Sequence, residues 1–478
     1  MRECATHFLF NRHEKTRCQG KGGKPLARAK ANEFFRAGGI ELLLDAAAGE
    51  TRDRDDFLIL GNQVGRAVQV LQPDGRYRGA MQVAWLNAAL ALDNLEPVSF
   101  LEADKDNFDL LHCEIDAQEY IEDGPLVSVL VPAYNSQDWL PTAINSLLQQ
   151  TWRNLEIVIV DDHSTDNTFE VAKEIAAKHP RVKVLQNAVN AGPYVARNLA
   201  LSNSSGVFVT VHDADDWSHP RKIERQMLAL QAQDNTVANM SKSVRIDPAS
   251  LKFFAQYGRE ILRQNSSSLL FKRNPVFTEL GYWDEVKFGA DTEYHHRINA
   301  KFGLGSAPTI NSGLLSFTRF HTESLTGGGK NSTVRGIIGA RRDYVRKFSD
   351  WHDQMKLIEG GLYLKRAAKK RPFAIPTSSA DSEQVLFFDF VVVTNLAIQT
   401  PWLELVFKKA KAKTKSTGAV AFVHVPSVIK PLSQTSVELE ELLAKGQVSR
   451  LDREHEAGCT SLVIHSDALQ ARNVLLPD

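Results

Sequence analysis

The middle of the chain alternates between two patterns of hydrophobic and polar positions. Short apolar runs that suit buried strands lie at 126–131, 156–160, 182–185 and 207–211. Between these runs, apolar residues recur at three- and four-residue spacing, which is typical of amphipathic helices. Strands that alternate with helices in this order predict an α/β fold with a doubly wound sheet.

The N-terminal flank carries a different pattern. Residues 1–30 are basic and polar, which favours a solvated tail over an arm that binds anionic lipid. Apolar residues then recur at helical spacing over 40–48 and over 81–92. The first 124 residues are therefore predicted to form a basic arm and a helical extension of the α/β region.

The C-terminal flank begins with a basic, linker-like stretch at 365–372. Beyond it, strands and helices are predicted to alternate, with strands at 385–393, 419–425 and 461–464 and helices at 403–413 and 437–445. The predicted organisation is an extension at 1–124, an α/β domain at 125–348, a linker at 349–382 and a C-terminal module at 383–478.

Composition narrows the class of protein. Of 478 residues, 43% are hydrophobic and 24% charged, and the 57 basic residues equal the 57 acidic ones, so no charge excess points to nucleic acid. Four scattered cysteines do not form a disulfide framework or a zinc motif: Cys4, Cys18, Cys113 and Cys459. Without a signal-peptide core or an apolar run of membrane length, we expect a cytoplasmic protein, with peripheral contact to the inner membrane left open.

The run at 207–211 ends in His212-Asp213-Ala214-Asp215-Asp216. Open α/β sheets bind ligands at the carboxyl ends of their strands. Adjacent carboxylates repel one another unless a cation or hydrogen-bond donors compensate them. Alternation along an extended segment would place Asp213 and Asp215 on one side, where both could hold a hard divalent ion. In isolation, the same residues would indicate a solvated acidic loop.

Four motifs give this loop a context, and together they resemble family 2 glycosyltransferases. They are Val-Ser-Val-Leu-Val-Pro-Ala-Tyr-Asn, Ile-Val-Ile-Val-Asp-Asp-His-Ser-Thr-Asp-Asn-Thr, Ala-Gly-Pro-Tyr-Val-Ala-Arg-Asn and His-Asp-Ala-Asp-Asp-Trp. They occur in the family's order and at its spacing, and the resemblance covers about 125–348. It implies the GT-A fold, in which a nucleotide-binding α/β half precedes an acceptor-binding half.

The resemblance implies roles in donor binding for several of these residues. Asp162 would accept a hydrogen bond from N3–H of uracil or thymine, although it could instead close its loop as an Asx cap. Pro132 and Tyr134 would shape the nucleotide pocket. Arg197 would offset the charge of the diphosphate, or alternatively pair with Asp213.

The same resemblance implies a metal site for Mg²⁺ or Mn²⁺. Asp215 is the first expected ligand, while Asp213 would hold the ribose or reach the ion through water. Asp216 would contact the sugar or only fix the loop. His321, in Arg-x-His-x-x-Ser-Leu-Thr, would complete the metal site or contact the diphosphate, or would be structural. Gly327, Gly328 and Gly329 follow it as a hinge.

The expected general base is Asp291 in Gly-Ala-Asp-Thr-Glu. The family usually has Glu-Asp here, so Ala290 replaces the preceding acid. A carboxylate at a helix N-terminus is stabilised in its charged form and can accept a proton. The alternative is a helix N-cap, which is compatible with the catalytic role.

Together these features predict an inverting, metal-dependent glycosyltransferase. It would move a sugar from a UDP- or dTDP-sugar to a glycan or lipid-linked acceptor in surface polysaccharide synthesis. A nucleotidyltransferase is disfavoured because Pro-Ala-Tyr-Asn stands where a Gly-rich basic signature would be needed. A non-catalytic nucleotide-sugar-binding or scaffold protein stays open. The C-terminal module resembles the first half of a GT-B lobe, and no second lobe is expected.

Overall fold

The computed structural model describes residues 78–100, 107–248, 251–254, 261–320, 339–367, 371–373, 386–394, 404, 407–408, 420–424, 449–451 and 457–464. The chain divides into two compact units, Met1–Gly336 with Phe348–Phe373 and Ile337–Lys347 with Ala374–Asp478. Several sequence predictions lie outside the described residues: the basic arm, the helices at 40–48 and 437–445, His321 and the glycines at 327–329.

The described part of the first unit begins with helix α1, Arg78–Ala91, which confirms the helix predicted at 81–92. Its buried face, with Trp85 and Leu90, belongs to one apolar cluster with Phe108, Val244 and Phe317. Two short strands then pair antiparallel, β1 (Ser99–Phe100) and β2 (Leu111–His112). The N-terminal segment therefore shares a core with the α/β region, since burial of its apolar face stabilises both.

The strands of the large sheet are β3 (Val127–Ala133), β4 (Leu155–Asp161), β5 (Val182–Gln186), β6 (Phe208–Val211), β7 (Trp217–Ser218), β8 (Ala238–Ile246), β9 (Phe253–Phe254), β10 (Arg263–Gln264), β11 (Leu270–Lys272) and β12 (Thr309–Arg319). They follow the order β5-β4-β3-β6-β11-β8-β12-β7, with β9 and β10 paired to β8. Strands β5, β4, β3 and β6 are parallel, as predicted. Strand β11 is antiparallel to β6 and β8, so the sheet continues as a mixed sheet that the parallel pattern did not predict.

The helices that follow in the chain are α2 (Leu140–Leu148), α3 (Thr168–Lys178), α4 (Pro193–Ser202), α5 (Lys222–Gln231), α6 (Arg273–Leu280), α7 (Ala290–Phe302) and α8 (Gly339–Met355). Proline in the first turn favours the start of α2 and α4, because its missing N–H is not needed there. Just before α3, whose N-cap is Asn167, Oδ1 of Asp166 accepts from the amide of Thr168, the first helical residue, at 2.9 Å. The α/β class predicted for this region is confirmed, and the GT-A arrangement stays a prediction.

Every position of β3 and β4 is buried. Val129 and Ile157 belong to the core cluster that also contains Ile144 and Leu147 of α2. A strand covered on both faces is a rigid support, so the residues at its carboxyl end are held in fixed positions. The polar residues after β3, β4 and β6 are all placed in this way.

The second unit contains a four-stranded parallel sheet in the order β15-β14-β13-β16. Its strands are β13 (Leu386–Thr394), β14 (Val420–His424), β15 (Ser449–Leu451) and β16 (Ala457–Ile464). Three of them confirm the strands predicted at 385–393, 419–425 and 461–464, and the parallel pairing agrees with a Rossmann-like module. The helices α1–α8 described above include none that is long and apolar enough to cross a membrane.

Candidate active site

The acidic loop, Asp213–Asp216, follows β6 at the carboxyl edge of the sheet. It forms a turn in which the Asp216 amide faces the Asp213 carbonyl oxygen at 3.4 Å. The expectation of an extended segment is therefore wrong, because the chain forms a turn across these four residues. Asp213 and Asp215 are half-buried, and Asp216 is buried.

Arg319, the last residue of β12, holds the acidic loop in place through two hydrogen bonds. Its Nε donates to the carbonyl oxygen of Asp215, and its backbone N–H donates to Oδ1 of Asp216, both at 3.0 Å. Burial, followed by the charges of Asp215 and Asp213, raises the pKa of Asp216 well above its usual range. The loop thus concentrates negative charge in a small, partly desolvated volume.

Asp213 is held by two donors from different elements. Nη2 of the buried Arg197 donates to its Oδ1 at 2.8 Å, and the hydroxyl of Ser267 donates to its Oδ2 at 2.5 Å. Burial would raise the pKa of Asp213, but the charge of Arg197 and these hydrogen bonds outweigh it and lower that pKa below its usual value. Of the two roles considered for Arg197, the structure shows the pair with Asp213.

Tyr194 connects this pair to the expected general base. Its ring lies 5.1 Å from the guanidinium of Arg197, and its hydroxyl donates to Oδ1 of Asp291 at 3.1 Å. The amide of Gly289, which is the N-cap of α7, donates back to the same hydroxyl at 3.1 Å. Asp291 is therefore not the N-cap but lies in the first turn, where the helix dipole stabilises a negative charge.

One oxygen of Asp291 remains available. Oδ1 also accepts from the Thr292 amide at 2.8 Å. Among the described residues, Oδ2 accepts no hydrogen bond. The carboxylate is consequently fixed through one oxygen and can present the other to a ligand.

Asp162, directly after β4, is buried and holds the loop that enters α4. Its Oδ1 accepts from Nδ2 of Asn187 at 2.6 Å and from the Ala191 amide at 3.0 Å, and its Oδ2 accepts from the Gly192 amide at 2.7 Å. Because α4 carries Tyr194, this carboxylate sets the start of the helix that joins the site together. The loop-closing role is thus present, and contact with a nucleotide base stays a prediction.

Pro132 and Tyr134 lie at the end of the neighbouring strand. Pro132 is buried within β3, whereas Tyr134 follows the strand with 45% of its surface exposed. The Asp162 amide donates to the Ala133 carbonyl at 2.8 Å, which keeps the two strand ends together. Tyr134 therefore offers an exposed ring beside the Asp162 loop, and its role in nucleotide binding stays a prediction.

Sequence reasoning missed several residues of this site. Tyr194 lies within a quoted motif, but no pattern signalled that its hydroxyl reaches Asp291. Lys222 was overlooked: it is buried at the start of α5, its Nζ donates to the hydroxyl of Ser218 at 3.2 Å, and burial lowers its pKa to about 8. Ser267 lies in the short 3₁₀ turn Ser266–Ser268 and Arg319 ends β12, and no sequence pattern signalled that either side chain reaches the acidic loop.

Asp213 and Asp215 are the candidate ligands for a divalent cation. No group of three or more His, Cys, Asp or Glu side chains within the described ranges is arranged to hold a metal ion. Burial, followed by the charges of Asp215 and Asp213, raises the pKa of Asp216, and a cation beside these carboxylates would offset the repulsion between them. The carboxylate oxygens of the acidic loop are of the kind that a hard divalent cation prefers.

Residues 128–274 match the family model described as glycosyl transferase family 2. The match includes Asp162, Arg197 and the acidic loop, and it ends before Asp291. Among solved structures, the chain resembles S. aureus TarS in complex with UDP, at 22% identity over 41% of this chain and 61% of that one, with a TM-score of 0.34. A likeness of this size identifies no ligand.

Two curated relatives are similar in sequence to part of this chain. YibD of Escherichia coli (strain K12), named an uncharacterized glycosyltransferase, is 43% identical over 112 residues, which are 23% of this chain and 32% of the relative. TuaG of Bacillus subtilis (strain 168), whose name provisionally describes a teichuronic acid biosynthesis glycosyltransferase, is 38% identical over 103 residues, 22% and 41% of the two chains. The chain thus spans less than half the length of these relatives. It carries a glycosyl transferase family 2 domain over residues 128–274, as the four motifs predicted.

Proposed function

We propose that this protein is an inverting glycosyltransferase that moves a sugar from a nucleotide sugar to an acceptor hydroxyl, and that Asp291 is its general base. The observation that carries this proposal is the network Asp291–Tyr194–Arg197–Asp213, which joins the first turn of α7 to the acidic loop. Groups that must act on two ends of one substrate need such a fixed relation.

In the proposed reaction, the acceptor oxygen attacks the anomeric carbon from the face opposite the nucleotide. The acceptor O–H bond breaks as its proton passes to Oδ2 of Asp291, the new C–O bond forms, and the bond from the anomeric carbon to the diphosphate oxygen breaks. Throughout the reaction, Oδ1 of Asp291 keeps its hydrogen bonds from the Tyr194 hydroxyl and the Thr292 amide. A base fixed through one oxygen loses little entropy when the other accepts the proton.

The departing diphosphate carries the developing negative charge. Mn²⁺ or Mg²⁺, held by Asp215 and Asp213, would supply Lewis-acid stabilisation of that charge. Arg319 keeps the loop with these carboxylates in place through its bonds to Asp215 and Asp216. The acidic loop therefore serves the leaving group, while Asp291 serves the acceptor.

We propose a UDP- or dTDP-sugar as donor and a surface glycan or lipid-linked sugar as acceptor. The donor class depends on Asp162, whose Oδ2 accepts one donor, the Gly192 amide, among the described contacts and so keeps capacity for a base N–H. Teichuronic acid biosynthesis, part of the name of TuaG, supports a polysaccharide acceptor.

A screen of nucleotide sugars with the full chain tests this proposal. We expect UDP or dTDP release in the presence of Mn²⁺, together with a rise in melting temperature when the donor binds. Asp291→Asn should lower kcat by roughly 100- to 10,000-fold, the usual contribution of a general base, while UDP binding is kept. Asp234→Asn, at an exposed aspartate, is the charge-matched control.

Normal turnover by Asp291→Asn would exclude Asp291 as the base. Binding of nucleotide sugars without release, in wild type and across the whole screen, would favour the non-catalytic binding protein instead. The two results are distinguishable, because the first is turnover by the Asp291→Asn variant and the second is the absence of nucleotide release by the wild type.

A further inference from the structure

We propose that Asp109, which lies outside the family match, is a positioning residue for the acidic loop and acts through Arg319. This inference rests on the proposed function. The two residues are 210 positions apart in the chain, yet the carboxylate of Asp109 meets the guanidinium of Arg319 in a two-pronged ion pair. The N-terminal segment would thereby take part in donor binding.

Asp109 is itself firmly placed. It lies in a short 3₁₀ turn, Phe108–Leu110, whose start is capped by the side chain of Asn107 accepting from the Asp109 amide at 3.0 Å. Phe108 is fully buried and anchors this turn in the apolar cluster with α1. Oδ1 of Asp109 also accepts from the hydroxyl of Thr142 in α2 at 2.8 Å. The carboxylate therefore has a fixed position relative to the sheet.

Arg319 links Asp109 to the acidic loop, because its guanidinium bonds to both. Nη1 donates to Oδ2 of Asp109 at 3.1 Å and Nη2 to its Oδ1, while Nε donates to the carbonyl oxygen of Asp215 at 3.0 Å. The side chain is 2% exposed, and its guanidinium lies 4.4 Å from the ring centre of Phe108. A planar guanidinium with one edge held by a carboxylate presents its Nε in a single direction.

Removal of the carboxylate would change what Arg319 does. A buried guanidinium without its carboxylate is costly, so it would turn towards the negative groups of the acidic loop, to which Arg319 is already bonded. The backbone of Asp215 would then lose its donor, and the loop its fixed geometry. Partners one step removed from ligand-binding groups typically change binding or activity by ~10–100-fold when they are lost.

The experiment compares full-length Asp109→Asn, Arg319→Lys, the double variant and Glu119→Gln. Glu119 is the matched control, because it lies in the same N-terminal segment but pairs with Arg221 and not with Arg319. UDP binding with Mn²⁺ is measured by isothermal titration, stability by melting temperature, and turnover as KM and kcat for the donor.

We expect Asp109→Asn to weaken UDP binding and raise the donor KM by about tenfold or more, with a smaller change in kcat. Glu119→Gln should leave UDP affinity unchanged, even if its melting temperature falls by as much as that of Asp109→Asn. The double variant should bind UDP no more weakly than Arg319→Lys, since both substitutions break one linkage.

Two results would overturn the inference. Wild-type UDP affinity in Asp109→Asn would show that the ion pair does not govern the loop, and equal weakening in Glu119→Gln would show that the segment acts only through stability. Wild-type protein that neither binds UDP nor turns over any donor would instead overturn the proposed function, and this inference with it.

Discussion

The hydroxyl of Tyr194 donates to Oδ1 of Asp291 at 3.1 Å and accepts from the Gly289 amide at the same distance. One side chain of α4 thus joins the N-cap of α7 to a carboxylate in its first turn. The hydroxyl makes both hydrogen bonds at the same helix end, so a change of side-chain rotamer that moved it would break the two bonds together. Tyr194 therefore fixes the orientation of the carboxylate of Asp291, the proposed general base.

Tyr194→Phe should lower kcat by about tenfold and leave UDP binding nearly unchanged. The ring that packs beside Arg197 is kept, while the bond that orients Asp291 is lost. Loss of the hydroxyl should also cost ~1 kcal/mol of unfolding free energy, the usual net value of one hydrogen bond. Steady-state kinetics and chemical denaturation measure the two effects separately.

Tyr294→Phe is the control, since the Tyr294 hydroxyl is also buried but donates to the Gly281 carbonyl at 3.0 Å. It should lose stability without a comparable loss of kcat. Equal losses of kcat in both variants would contradict a specific role for Tyr194, because any buried hydroxyl near α7 would then have the same effect.

Residues at strand ends could be predicted from the sequence. Parallel strands place their carboxyl ends at one edge, so Asp162 and the acidic loop were expected there, and Asp291 was expected at a helix start. Which side chains bond to one another could not be predicted. The choice of Arg197 between Asp213 and a diphosphate depends on side-chain direction, and the pairing of Asp109 with Arg319 depends on tertiary contacts over 210 residues.

The second half of the sheet was harder to predict for a different reason. Strand β8 contains Asn239 and Ser241, polar residues that obscure a buried strand in the sequence. Both are satisfied internally: Nδ2 of Asn239 donates to the Gln226 carbonyl at 2.8 Å, and the hydroxyl of Ser241 meets that of Ser316 at 3.1 Å. Buried polar side chains cost little when they are paired, so the strand is stable although its pattern is not apolar.

Acid should destabilise this protein below about pH 6.5. Burial lowers the pKa of His219 from 6.5 to about 4 and that of His212 to about 3, so both rings are neutral when folded. Unfolded chains take up these protons below about pH 6.5, so stability is complete above that value and falls as the pH drops towards 4. The expected slope is about 1.4 kcal/mol per pH unit for each ring.

His219→Gln should reduce the pH dependence of the unfolding free energy by the contribution of one ring, about 1.4 kcal/mol per pH unit. Unfolding can be followed by tryptophan fluorescence at pH 8, 7, 6 and 5, because the ring of Trp217 lies 6.4 Å from that of His219. His163→Asn is the control: His163 is exposed at φ 58°, which asparagine adopts readily, and both buried rings remain. An unchanged slope in His219→Gln would exclude this ring as a source of acid sensitivity.

Arg197 and Asp213 should behave as one unit in unfolding experiments. Arg197→Met leaves the Asp213 charge near Asp215 and Asp216, and Asp213→Asn leaves a buried guanidinium without its partner. Each change should cost about 2–3 kcal/mol, below the range for fully buried pairs because 34% of the Asp213 side chain is exposed. The double variant should lose about as much as one single variant, measured by urea denaturation.

The exposed pair Lys173–Glu170 is the control for this cycle, and its coupling should be below about 0.5 kcal/mol. Additive losses for Arg197 and Asp213 would mean that their 2.8 Å contact contributes little to the folded state. Arg197 could then leave Asp213 at little cost and serve a diphosphate. Strong coupling instead makes that exchange expensive, so Arg197 would stay with the acidic loop when the donor binds.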